Sequence, residues 1–139
     1  MTDPVPSQPH KPIIIIDDDR EDLELAAELA RVLHIPNQVV VFDNPIAALD
    51  YLVDHCQSVL FIICDINMPK LDGFQLRGEL MDKVPGIENI PFFFLSTSKS
   101  PGEVKLSEEY KVTGYYQKAN SFDDQKDIVK QIWEQVRDL

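Results

Sequence analysis

Ile13 to Ile16 is a run of four β-branched residues, and Asp17, Asp18 and Asp19 follow at once. A strand with one face in water alternates apolar and polar residues. A strand apolar at every position suits a sheet covered on both faces, which in practice means a parallel one. Parallel strands need crossover connections, usually helices. This one tetrapeptide therefore asks the rest of the chain for alternating strands and helices, and for a reason to place acids at a buried strand's end.

The alternation is there. After the acids, Leu23, Ala26, Ala27, Ala30, Leu33 and His34 recur at helical spacing and are expected to share a buried face. Pro36-Asn37 breaks that helix, and Gln38 to Phe42 is a second short apolar run. Asn44 is placed to cap a second helix with Pro45 at its first position, burying Ile46, Leu49, Leu52, Val53 and Cys56. Val59 to Cys64 is a third strand. Gly73 to about Lys83 reads as a third helix capped by Asp72, with Phe74, Leu80, Met81 and Val84 inward. Val84 to Pro91 is turn-rich, and Phe92 to Leu95 is a fourth strand. Pro101 to about Lys111 is a weaker, poorly periodic helix, and Thr113 to Gln117 a short fifth strand. Ser121 caps a last helix with Ile128, Val129, Ile132, Trp133 and Val136 on its apolar stripe. Five βα units predict an α/β fold: a parallel sheet, right-handed crossovers and helices on both faces.

Composition narrows the function. The 139 residues suit one domain, with residues 1–11 read as a flexible leader and 12–139 as the domain. A hydrophobic fraction of 44% with 27% charged residues argues against extensive disorder. A net charge of −11 with scattered lysines and arginines disfavours direct nucleic-acid binding. No apolar run approaches the ~20 residues of a membrane span, and the N-terminus lacks a signal peptide's apolar core. Cys56 and Cys64 lack metal-ligand spacing and read as reduced thiols of a cytoplasmic protein.

In an open parallel sheet the functional crevice lies beyond the strands' carboxyl ends. The residues standing there are Asp17, Asp18 and Asp19, then Asp65, then Ser96, Thr97 and Ser98, then Lys118. Two carboxylates about 4 Å apart repel by ~4 kcal/mol at an effective dielectric near 20. Such a cluster calls for a counterion or for raised pKa values. Mg²⁺ takes a few hard oxygens and keeps waters that a phosphoryl oxygen can replace. Three carboxylates, a hydroxyl and an ammonium form a receptor for a phosphoryl group. Asp19 reads instead as the cap of the first helix.

The pieces together resemble the receiver domain of two-component response regulators. IIIIDD resembles the family's first strand and acidic pair, DINMPKLDG its phosphorylation motif, FFFLSTS its fourth strand and GYYQK its fifth. The resemblance implies a doubly wound five-stranded sheet of order 2-1-3-4-5. It implies Asp65 as phosphoacceptor, with Mg²⁺ held by Asp18, Asp65 and the backbone carbonyl of Asn67, and by Asp17 mostly through water. It implies Lys118 as the partner of Asp65 and then of the phosphoryl group, Ser96 as switch hydroxyl and Tyr115 as switch aromatic. The implied partners are a sensor histidine kinase or a histidine phosphotransfer protein, and a further downstream protein. The implied role is a phosphoacceptor switch, not a classical enzyme, with no effector domain expected after the last helix. Three positions depart from the family pattern: Ala119 stands where proline usually follows the lysine, Thr97 is bulkier than usual, and the fourth helix is irregular. The competing reading is a pseudo-receiver that only binds protein. A hydrolase with an aspartyl nucleophile wants an acid two residues after Asp65, where this chain has Asn67, and an FMN protein wants a phosphate loop after the first strand.

Overall fold

The computed structural model describes residues 11–138. Five strands, β1 (Ile13–Ile16), β2 (Val39–Phe42), β3 (Phe61–Cys64), β4 (Phe92–Ser96) and β5 (Gly114–Gln117), alternate with five helices. These are α1 (Arg20–Val32), α2 (Pro45–His55), α3 (Gly73–Lys83), α4 (Pro101–Glu109) and α5 (Phe122–Val136). The strands form one parallel sheet in the order β2-β1-β3-β4-β5. The order reverses direction between β1 and β3, which puts the topological switch point at their carboxyl ends.

All four residues of β1 and of β3 are buried, because successive side chains enter opposite layers. Ile14, Ile16, Ile62, Cys64, Phe92 and Phe94 pack against α2 and α3 through Leu52, Phe74, Leu76 and Leu80. Ile13, Ile15, Phe61, Ile63, Phe93 and Leu95 pack against α1 and α5 through Leu23, Ile132 and Val136. Each fully buried Ile or Phe contributes about 1.5–3 kcal/mol relative to exposure, so β1, β3 and β4, buried along their whole length, are firmly anchored supports for the site.

The caps fall where the sequence puts them. Asp19 accepts the Glu21 amide, Asn44 that of Ile46 and Ser121 that of Asp124. Asp72 and Gln75 form a reciprocal capping box on α3. The helix faces are corrected in part. Ala27 and His34 of the first expected stripe are exposed, and Leu29 is buried instead. On α2, Ile46 and Val53 are exposed while Pro45 and Ala48 are buried. On α3, Met81 is exposed while Leu76 and Arg77 are buried. In each case the apolar pattern is wider than the buried stripe, and periodicity alone leaves the choice of edge open. Trp133 packs half-buried against Phe61, as expected. No described helix is long and apolar enough to cross a membrane.

Candidate functional site

Three backbone hydrogen bonds carry the sheet one residue past its strands. The amide of Asp17 donates to Phe42 O at 3.0 Å, that of Asp65 to Ile16 O at 2.9 Å and that of Lys118 to Ser96 O at 2.7 Å. Three of the expected site residues are thus fixed by the ladder itself. Their side chains leave the sheet at the same edge, in the crevice at the switch point. One oxygen each from Asp17, Asp18 and Asp65 lies within 4.8 Å of the others. Asp17 and Asp65 are buried, and Asp18 is exposed at the rim.

The chain turns sharply after Asp65. Oδ1 of Asp65 accepts the Ile66 amide at 2.8 Å, and the Gly73 amide closes the loop on Ile66 O at 2.7 Å. Within it Lys70 takes a left-handed φ of 74° just after Pro69. Asn67 stands exposed in this loop, two residues beyond Asp65. A Cβ on Gly73 would lie 2.6 Å from Asp65 O and 2.9 Å from both Ile66 Cα and a Phe94 ring carbon. Gly73 is therefore required by close approach to the very backbone that carries Asp65.

Lys118 is the counter-charge, though not with the partner order expected. Its Nζ donates to Asp17 Oδ2 at 2.7 Å and to Asp22 Oδ2 at 2.7 Å, and stands 3.6 Å from Asp65 Oδ2. Asp22, in the first turn of α1, is a site residue that the sequence reading missed. Burial favours the neutral form of Asp17, and Asp65's charge adds to it. Together they outweigh the Lys118 hydrogen bond and push Asp17 up to about 6. Asp65 is raised for the same first reason, burial, and Asp18 and Asp22 add repulsion. Burial by itself lowers an ammonium's pKa, but the hydrogen bonds to Asp17 and Asp22 reverse that, and Lys118 is held charged.

The peptide after Lys118 is trans, since no cis bond occurs among the described residues. The Ala119 amide, which a proline would lack, donates to Oε1 of the buried Gln125 at 2.7 Å. Gln125 thus absorbs the departure at Ala119, and Lys118 still reaches the carboxylates. Ser96 is fully buried at the end of β4, and its Oγ has no hydrogen-bond partner. Tyr115 is buried as well, and its hydroxyl donates to Ser98 O at 2.8 Å. Thr97 is exposed beside the crevice, and its carbonyl accepts from Gln117.

Three close carboxylates against one shared ammonium leave an excess of negative charge on hard oxygens. That donor set fits a divalent cation of the Mg²⁺ or Mn²⁺ kind. The profile of the response regulator receiver domain matches residues 13–132. The chain belongs to that family. Among receivers it is similar to response regulator Rcp1 of Synechocystis sp. strain PCC 6803, 27% identical over 131 residues, covering 91% of this chain and 86% of the relative. The structure of a phosphorylated cyanobacterial phytochrome response regulator, RcpA, superposes with a TM-score of 0.80 at 28% identity, covering 91% of this chain and 94% of that one. The Mn²⁺-bound form of Rcp1 superposes with a TM-score of 0.77 at 26% identity, covering 88% of this chain and 91% of that one. The sheet order implied by the resemblance is the order observed.

Proposed function

We propose that this receiver accepts a phosphoryl group on Asp65 from a phosphohistidine of a sensor kinase or phosphotransfer protein. It then switches partner binding or hands the group on, as a cytoplasmic phosphoacceptor and not a turnover enzyme. The observation that carries the reading is the placement of the Asp65 carboxylate: rigidly presented, clustered with Asp17 and Asp18, and 3.6 Å from the Lys118 ammonium.

Asp65 supplies a carboxylate oxygen that attacks phosphorus in line. The P–N bond breaks, and the histidine nitrogen takes the electron pair and then a solvent proton. Asp18, Asp65 and the Asn67 carbonyl would hold Mg²⁺, with Asp17 acting mostly through water, and the ion would supply charge neutralisation for the phosphoryl oxygens. Lys118, whose ammonium stands 3.6 Å from Asp65 Oδ2, adds positive charge beside the acceptor. Phosphorylation brings roughly two negative charges and several strong acceptors into the crevice. Ser96 Oγ, buried and unpartnered, is the hydroxyl free to answer them. Its movement would change the pocket beside Tyr115 and loosen the Tyr115–Ser98 contact, which links the site to the start of α4.

The test is intact mass spectrometry after incubation with Mg²⁺ and acetyl phosphate, beside an Asp65→Asn control. A gain of one phosphoryl mass, dependent on Mg²⁺ and lost in the control, is expected. No gain from acetyl phosphate or from a panel of phosphorylated kinases would replace this reading with the protein-binding pseudo-receiver.

A further inference from the structure

Asp22 sits three residues past the N-cap of α1, where an acid ordinarily turns back to the N-cap amide. Here it does not. The Asp19 amide is already taken by Asp17 Oδ1 at 2.9 Å, and Asp22 reaches 96 positions along the chain to Lys118. The Lys118 side chain is only 12% exposed and that of Asp22 34%, so this pair is more than a solvated surface contact. The two contacts at 2.7 Å are charge-assisted hydrogen bonds, whereas 3.6 Å to Asp65 is beyond hydrogen-bond length. The ammonium leans toward α1 and away from the acceptor.

We propose that Asp22 is a positioning residue that parks Lys118 off Asp65 in the unmodified site and thereby weakens the site's hold on a phosphoryl group. This inference rests on the reading of Asp65 as phosphoacceptor. Two effects act in the same direction. A parked ammonium must give up its bond to Asp22 before it can turn fully to the phosphoryl oxygens. The Asp22 carboxylate also repels a group of about two negative charges more than it repels the single charge of Asp65. Asp22 therefore biases the equilibrium toward the unmodified state and leaves the Asp65 oxygen uncommitted to a close ion pair. Asp17 cannot take this part alone, because it is buried within the acidic cluster itself.

The probe is beryllofluoride, a phosphoryl mimic, titrated calorimetrically at saturating Mg²⁺ into wild type, Asp22→Asn and Asp22→Glu. Asp22→Asn should bind it roughly tenfold more tightly, the scale of one charge-assisted hydrogen bond exchanged. Asp22→Glu, which keeps the charge, should return toward wild type. Crystal structures of the metal-free wild type and Asp22→Asn give a second readout. The Lys118 Nζ to Asp65 Oδ2 distance should contract from 3.6 Å to hydrogen-bond length in the variant. Unchanged affinity, or an ammonium that stays put, overturns the role of Asp22. Wild type that binds no beryllofluoride with Mg²⁺ overturns the phosphoacceptor reading instead, and the crystal comparison then judges the parking alone.

Discussion

At the scale of single residues, the site is a concentration of charge that the fold tolerates. Asp17 and Asp65 both have carboxyls raised above their unfolded values, chiefly by burial. Between the unfolded value near 4 and the folded value, about 6 for Asp17, the native state binds more protons than the unfolded chain. Stability must therefore fall as pH rises through that window. Lys118, with a raised pKa, contributes stability that is constant there and is lost only as pH climbs through its folded value, above the usual lysine range. The metal-free protein is expected to melt several degrees higher at pH 5 than at pH 7.5, and Asp65→Asn to shrink the difference. A wild-type melting temperature flat across that range would refute the raised carboxyls. Asp17, Asp18, Asp65 and Lys118 were legible in the sequence because each stands within two residues of the end of a strand-forming run. Asp22 and Gln125 were not. An acid in a helix's first turn already has a local reason to be there, and a glutamine in an amphipathic helix reads as surface. Their partners, Lys118 and the Ala119 amide, come within reach only when α1 and α5 pack together next to the segment after β5.

At the scale of elements, β1, β3, β4 and β5 each deliver a site residue, and the turn after β3 holds Asp65 in position. The Gly73 contact states this most directly. Gly73→Ala would press a methyl group onto the Asp65 carbonyl and the Ile66 backbone, neither of which is a flexible side chain. The start of α3 would have to retreat from β3. The expected cost is about 2 kcal/mol or more, seen as a melting temperature lowered by roughly 5 °C or more, together with a reduced initial rate of labelling at Asp65. Gly78→Ala serves as the control. Its Cβ would meet only a Tyr110 ring carbon at 3.5 Å, and a helix-interior alanine should be neutral or stabilising. Equal loss in both variants would refute the close-approach argument. The elements themselves were readable from the sequence, since strand runs, caps and breaks all recur where the residues place them. Helix faces were less so, because Ile46, Val53 and Met81 are apolar residues that the molecule leaves in water.

At the scale of the whole molecule, α4 is the helix with the least packing, and only Ser107 of it is buried. It is fastened at its two ends. At the start, Ser98 and Ser100 both donate to Glu103, and Tyr115 donates to the Ser98 carbonyl. At the far end, Arg77 reaches across from α3, with Nε on Tyr110 O at 3.0 Å and Nη2 on Lys111 O at 3.1 Å. Its guanidinium lies 4.9 Å from the Phe92 ring centroid, and the residue is 1% exposed. A charged residue in a helix pattern reads as solvent-facing, so nothing local announced this brace. Its partners are backbone carbonyls more than thirty residues away, created only when α3 and α4 come together. The start of α4 is tied to the candidate switch residues, while its end is tied to the core, so motion at the crevice should swing α4 about the Arg77 end. Arg77→Met preserves much of the volume but strands two carbonyls and removes the pivot. It should cost about 2–4 kcal/mol and raise amide hydrogen exchange first in residues 107–114. Arg77→Lys, a point charge without the planar fork, should recover only part of the loss. Exchange that instead rises evenly across the sheet, with 107–114 no faster than the rest, would mean that Arg77 serves general stability and that α4 has no fixed end.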